Sequence, residues 1–181
     1  MFSAPAASSR GTFPLLASFF AFWEEVEVLR RDVQPEADVD RMVARGPASG
    51  REQLVEALRN QRAAMAHSAR SGMLPQFDEA QYVMVATADE LFIALNWDGA
   101  ENWRVHPLEA ELFGTRRAGQ EIFVRLERLI DGSNPFNAEM AAVYLAALEL
   151  GFKGTFADAD DTHTLERYEA AGIAPGSASI A

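Results

Sequence analysis

The chain contains no cysteine. Disulfides, thiolate catalysis and sulfur-ligated zinc or iron–sulfur clusters are therefore excluded. Long apolar runs are also missing. The greasiest stretch, FPLLASFFAFW from Phe13 to Trp23, is interrupted by Pro14 and Ser18 and followed at once by Glu24 and Glu25. It is too short to span a bilayer. As a signal peptide it fails as well, with one arginine ahead of it and no small-residue cleavage site behind, so a cytoplasmic placement is the simplest. G-x-S-x-G, Walker and G-x-G-x-x-G patterns are absent, which removes the common hydrolase, phosphate-loop and dinucleotide readings. His67, His106 and His163 stand apart without metal-ligand spacing, so no metal and no cofactor is expected. Asp158, Asp160 and Glu169 fall at positions one, three and twelve of an EF-hand loop, but His163 takes the place of the required glycine. An acidic helix start is the plainer reading there.

Positive charge is scarce, with 16 Lys and Arg against 27 Asp and Glu and a formal net charge of −11. Such a surface repels phosphate backbones and anionic membranes, so nucleic acid is not expected and a neutral or basic protein partner fits better. What the chain does have is 181 residues, 49% of them hydrophobic, enough for one domain or two tightly joined subdomains.

No strand alternation, internal repeat or heptad pattern is present, and the apolar periodicity is helical throughout. Residues 1–11, rich in Ala and Ser, read as a disordered tail. A first helix is expected from Thr12 to about Arg31, with Leu16, Phe19, Phe20, Trp23 and Val26 as its stripe and Phe13 and Phe22 widening it until its first half is buried on more than one side. A segment EADVDRMVAR between Pro35 and Gly46 suits two turns on Val39, Met42 and Val43. Ser49 with Glu52 reads as a capping box for a long helix on Leu54, Val55, Leu58 and Met65, ending near Ser71-Gly72. Pro75 then breaks the chain, and Asp78 restarts it. NWDGAENWRVHP reads as an ordered, packed loop. Short helices follow from Pro107 to Phe113 and from about Arg116 to Ile130, the latter facing inward through Ile122, Phe123, Leu126, Leu129 and Ile130. Asn134-Pro135 opens one more, through Met140, Val143, Tyr144, Ala147 and Leu148, closed by Gly151 with Phe152 packing back. A last short helix after Gly154 and a frayed tail at 172–181 complete an all-α reading of about seven helices.

The stretch from Tyr82 to Gly119 carries most of the unusual residues. Asp89 lies two turns past Tyr82, about 20° from its direction on the apolar face, and Glu90 falls about 80° away on the shoulder. A buried carboxylate needs donors. Arg104, Arg116, Arg117, the indoles of Trp97 and Trp103, or the first amides of a neighbouring helix can supply them. The pair could act as general acid and base, yet adjacent helical residues diverge by about 100° and seldom converge on one substrate atom. A paired structural hub at Asp89, or a cleft receiving a protein partner, fits the pattern better. An acidic-cleft enzyme or ligand-binding domain on Asp89 and Glu90 is the alternative.

Tyr82, Ala86, Asp89-Glu90, Trp97 and Gly99, Trp103, Leu108, Leu112-Phe113-Gly114-Thr115, Gly119 with Phe123, Tyr144, Leu148 and Leu150-Gly151-Phe152-x-Gly154 together resemble the DotU/IcmH family. That family is the inner-membrane accessory subunit of type VI secretion and its type IVB relative. The match is best over residues 78 to 154. It implies a single domain over 12–171, made of two small helical bundles in a hooked shape with a cleft between them, and no catalysis. The implied role connects a membrane complex to a cytoplasmic baseplate, with other subunits of a secretion apparatus as partners and a homodimer left open. Asp89, Glu90, Trp97, Trp103 and Arg104 are then the partner-binding candidates. Tyr82, Gly99, Phe113, Gly114, Gly119, Tyr144, Gly151, Phe152 and Gly154 are the structural ones. Family members normally continue into a C-terminal transmembrane helix, which these 181 residues lack, so the expectation is either a domain held at the inner membrane by another subunit or a chain from which an anchor is missing.

Overall fold

The structure is a computed structural model that describes residues 13–34, 47–68, 70–132 and 137–154. The terminal tails, the EADVDRMVAR segment, Asn134-Pro135 and everything after Gly154, including His163 and the EF-hand-like acids, lie outside the described residues. Among those residues there are seven α-helices, one 3-10 turn (Ser71–Met73) and no strand. The helices are α1 (Pro14–Asp32), α2 (Pro47–Ala66), α3 (Leu74–Ala94), α4 (Ala100–Val105), α5 (Leu108–Phe113), α6 (Ala118–Asp131) and α7 (Asn137–Glu149). None is long and apolar enough to cross a membrane.

The centre is α3, which touches every other helix. Residues 81 to 89 are buried without a break, so this helix is enclosed on all sides instead of resting one face on a core. One side packs α1 and α2, another α4 and α5, a third α6 and α7. A continuous apolar core runs between them through Phe19, Phe22, Phe77, Phe92, Leu108 and Tyr144. Each such side chain, fully buried, contributes roughly 1.5–3 kcal/mol.

Helix α1 starts two residues later than the sequence suggests, with Pro14 in its first turn where a missing N–H costs nothing. Its buried stripe is Leu15, Phe19, Phe22, Val26 and Leu29, alternating spacings of four and three. Phe19, Phe22 and Val26 of the expected stripe are buried, while Leu16 and Trp23 are only half-buried and burial on more than one side is not found: Phe20 is 48% exposed and Phe13 53%. Helix α2 stops at Ala66, short of Ser71, where the Ser68 hydroxyl bonds the Met65 carbonyl and receives the Arg70 amide. Pro75 does not break the chain before α3 but sits in its first turn, so that helix begins four residues ahead of Asp78. On α6, Ile122, Phe123 and Leu126 are buried as expected, whereas Ile130, next to the helix end, is exposed. The end of α7 follows the sequence closely. The Gly151 amide bonds the Leu148 carbonyl and the Phe152 amide that of Ala147, each at 3.0 Å, with Gly151 at φ +97. This is a Schellman closure, and only glycine adopts that backbone without strain.

Candidate interaction site

Asp89 points inward from α3 and is 6% exposed. Its Oδ1 accepts the Trp103 indole N–H at 2.7 Å and the Leu108 amide at 2.8 Å, and its Oδ2 accepts the Glu109 amide at 2.9 Å. Leu108 and Glu109 open α5, so the carboxylate caps a helix start far along the chain. Among the candidate donors the structure selects one indole and two amides and none of the arginines. Burial pushes the Asp89 carboxyl up to about 6, against the three hydrogen bonds that pull it down.

The segment read as a loop is in part helix α4, which brings Trp103 over Asp89. Trp103 and Phe92 stack 4.3 Å apart, and Trp97 closes the cluster edge-on, 5.9 Å from Phe92 and 6.1 Å from Trp103. Trp97 lies beyond the end of α3 at Ala94, not on its face, and its indole N–H reaches back to the Phe92 carbonyl at 2.8 Å. Its ring lies across Gly99, where a Cβ would come within 2.3 Å of it. That contact explains the W-x-G spacing: Gly99 is there for space, since its φ of −88 suits any residue. Arg104 points outward and pairs with Glu101 at 2.6 Å.

Sequence reasoning missed Glu109, which is 5% exposed. Its Oε1 accepts the Tyr82 hydroxyl (3.0 Å), the Thr115 hydroxyl (2.6 Å) and the Arg117 amide (2.9 Å), while Oε2 accepts the Ala118 amide (3.0 Å). It caps α6 as Asp89 caps α5. Burial favours the neutral acid, but the Thr115 hydroxyl, the two amides and Tyr82 outweigh it, and the Glu109 pKa is lowered. Tyr82, buried beside this negative charge, has its hydroxyl pushed up to about 12. The Tyr82 ring meets Phe113 edge-on at 5.1 Å and carries the Arg125 guanidinium 4.1 Å above it. Arg125 in turn pairs with Glu79 at 2.6 Å, and Glu79 accepts the Tyr144 hydroxyl at 2.5 Å. Gly114 closes α5 in the left-handed region at φ +68. A signal for Glu109 was available in its position at the start of a short helix, where an acid is favourable. Nothing local showed that it would turn to the next helix instead.

The same device recurs on α1, where the Leu15 amide, first donor after Pro14, bonds Glu139 of α7 at 2.5 Å. The helix starts of α1, α3, α4, α5 and α6 carry no side-chain cap from their own N-cap residue. Glu90, on the shoulder as expected, is half-buried and accepts the amides of Lys153 and Gly154 at 2.7 and 2.8 Å. Of the five partner-binding candidates, Asp89 and Trp103 are buried beneath the surface, and Trp97, Arg104 and Glu90 reach it.

Beside α4 an open groove of about 430 Å³ runs between α2 and α5, lined by Arg51, Glu52, Asn102, His106, Pro107, Ala110, Glu111 and Arg116. Arg51 ties its walls together, donating to the His106 carbonyl at 3.0 Å and pairing with Glu111 at 2.6 Å. Among the described residues no cluster of acids and histidines is placed to hold a metal ion.

Fold and site define a class: an all-α domain built on a buried central helix, with neighbouring helix starts tied to it and to one another by remote carboxylates. The chain belongs to the DotU family, since the family model for type VI secretion system protein DotU matches residues 26–171. Among solved structures it resembles the type VI secretion protein SciP/TssL from enteroaggregative Escherichia coli 042, at 26% identity and a TM-score of 0.62, over 94% of this chain and 92% of that one. It also resembles the cytoplasmic domain of TssL from Acinetobacter baumannii, with a TM-score of 0.61 over 87% of this chain and 94% of that one. At 21% identity that second likeness speaks for the fold alone. No curated protein sequence matches the chain.

Proposed function

We propose that this chain is a non-enzymatic structural subunit of a type VI secretion apparatus, linking its membrane complex to the cytoplasmic baseplate through protein–protein contacts. The observation that carries this reading is how the Asp89-Glu90 pair is spent: every oxygen of both carboxylates accepts an internal N–H. A catalytic acid and base must face a substrate, so the acidic-cleft enzyme loses its main support. Asp89 supports the docking surface from below, and the pair does not form it. Asp89 and Trp103 fix α4 against α3, and α4 then presents Arg104 and Val105 outward next to the Arg51–Arg116 groove, where the Arg116 guanidinium donates to the Val105 carbonyl at 2.6 Å. Val105, 46% exposed, with Arg104 next to it and Arg116 on its carbonyl, has the chemistry of an interface centre.

Co-purification with the membrane-complex and baseplate subunits encoded beside this gene tests the proposal. The double variant Arg104→Glu/Val105→Asp, both positions exposed, should keep the helical circular dichroism and melting temperature yet lose those subunits. Retention of all of them by the folded variant would move the docking surface elsewhere. Absence of any such subunit from the unmodified protein would overturn the structural role.

A further inference from the structure

Glu90 holds a piece of chain that follows the last described helix. Both oxygens of its carboxylate are used, one for the Lys153 amide and one for the Gly154 amide. Two consecutive backbone N–H groups converging on one anion form a compact charge-assisted cradle. Three further contacts fix the same four residues. The Schellman closure at Gly151 turns the chain out of α7. Phe152 is buried and stacks on Phe123 of α6 at 6.0 Å. Gly154, at φ +54, lies so close to α6 that a Cβ would come within 2.4 Å of the Gly119 carbonyl oxygen. The separation of Glu90 from these amides is 63 and 64 residues, so no local propensity accounts for the contact.

We propose that Glu90 is a releasable clasp on residues 151–154, which can open while the helical core stays folded. The contrast with Asp89 gives the reason. Asp89 is enclosed, and withdrawing it strands three donors away from water. Glu90 and Gly154 are half-buried and Lys153 is exposed, so water can replace the bonds when the carboxylate swings out. Asp89 and Glu90 share one turn of α3, so residues 153–154 and the α4–α5 unit are held by the same piece of helix. This inference stands on the geometry of residues 151–154 and does not depend on the docking surface.

Lys153 is the only lysine in the sequence, which makes a direct test available. A lysine-specific endoproteinase can cut the full chain only there, and under native conditions the rate of cutting follows the population of the open clasp. Glu90→Ala removes both acceptors, and Gly154→Ala forces the chain off Gly119 with Glu90 intact. Each is expected to speed cleavage at Lys153 roughly tenfold or more, the loss of about one charge-assisted hydrogen bond or greater. Amide hydrogen exchange should remain slow at Val85 and Ala88 in both. Leu54→Ala, which weakens the core between α1 and α2, serves as the control and should leave native-state cleavage near the unmodified rate. Unchanged cleavage in Glu90→Ala, or equal acceleration in Leu54→Ala, would overturn the clasp. Loss of protection at Val85 and Ala88 in Glu90→Ala would do so too, because the contact would then belong to the core.

Discussion

Asp89 and Glu109 are two carboxylates doing the same job in neighbouring places, and their pKa values are shifted in opposite directions. Each is almost inaccessible, and each caps the start of the next helix: Asp89 that of α5, Glu109 that of α6. The two are linked, because the Glu109 amide is one of the donors to Asp89. Asp89 has three donors, and its pKa is raised to about 6. Glu109, equally inaccessible, has four donors, and its pKa is lowered. Burial alone therefore does not decide whether a charge is tolerated. The balance between desolvation and the number of donors aimed at it does.

The sharpest break in this comparison comes from truncation. Glu109→Ala strands two hydroxyls and two amides and removes a favourable charge, and should cost on the order of 4 kcal/mol in urea unfolding. Asp89→Ala strands an indole and two amides but also removes a charge that the fold holds at a cost, so its loss should be smaller, about 2–3 kcal/mol. An Asp89→Ala variant weaker than Glu109→Ala would show that donor count does not set the order.

The next effect is in pH. For Asp89 the folded pKa lies above the unfolded value of 3.8, so its contribution is fully present below that value and is lost as pH rises through about 6. Glu109 has the opposite sign: its contribution is present above its unfolded value of 4.5 and is lost as pH falls through its lowered folded pKa. Between pH 4 and 6 the stability of Asp89→Asn relative to the unmodified protein should therefore improve as pH rises. Chemical denaturation at several pH values measures it, and a flat difference across that window would mean Asp89 is ionised in the fold well below pH 6.

The smallest effect sharpens the account of the Asp89 side. Trp103→Phe keeps the ring stacked on Phe92 but deletes one of the three donors, and should cost about 1 kcal/mol. It should also raise the Asp89 pKa further, which carboxyl titration by NMR can follow. An unchanged carboxyl titration would mean that the two α5 amides alone set its ionisation.

How far all this was legible depends on whether the signal was local. The inward turn of Asp89 follows from its place two turns past Tyr82, because helical geometry is fixed by the backbone. The end of α7 was readable for the same reason, with Gly151 supplying the left-handed residue and Phe152 the apolar contact. The face of α1 was harder to place. Phe13, Leu16, Phe20 and Trp23 are as apolar as Leu15, Phe19, Phe22 and Val26, and only the positions of α2, α3 and α7 decide which set is covered. Helix α4 was read as loop because Asp98-Gly99 signals a turn, while the force that makes six residues helical is Trp103 seated on Asp89.

The sequence by itself determined that the protein is all-α and which acid on α3 faces inward, since periodicity and chain reversal depend on residues a few positions apart. Only the tertiary structure decided the partners of the acids. The Leu15 amide finds Glu139 at a separation of 124 residues, Lys153 finds Glu90 at 63, and Tyr82 finds Glu109 at 27. A backbone amide at a helix start is the same group whatever the side chain that carries it. No residue code marks which distant carboxylate will reach it, and that choice is made when the helices pack around α3.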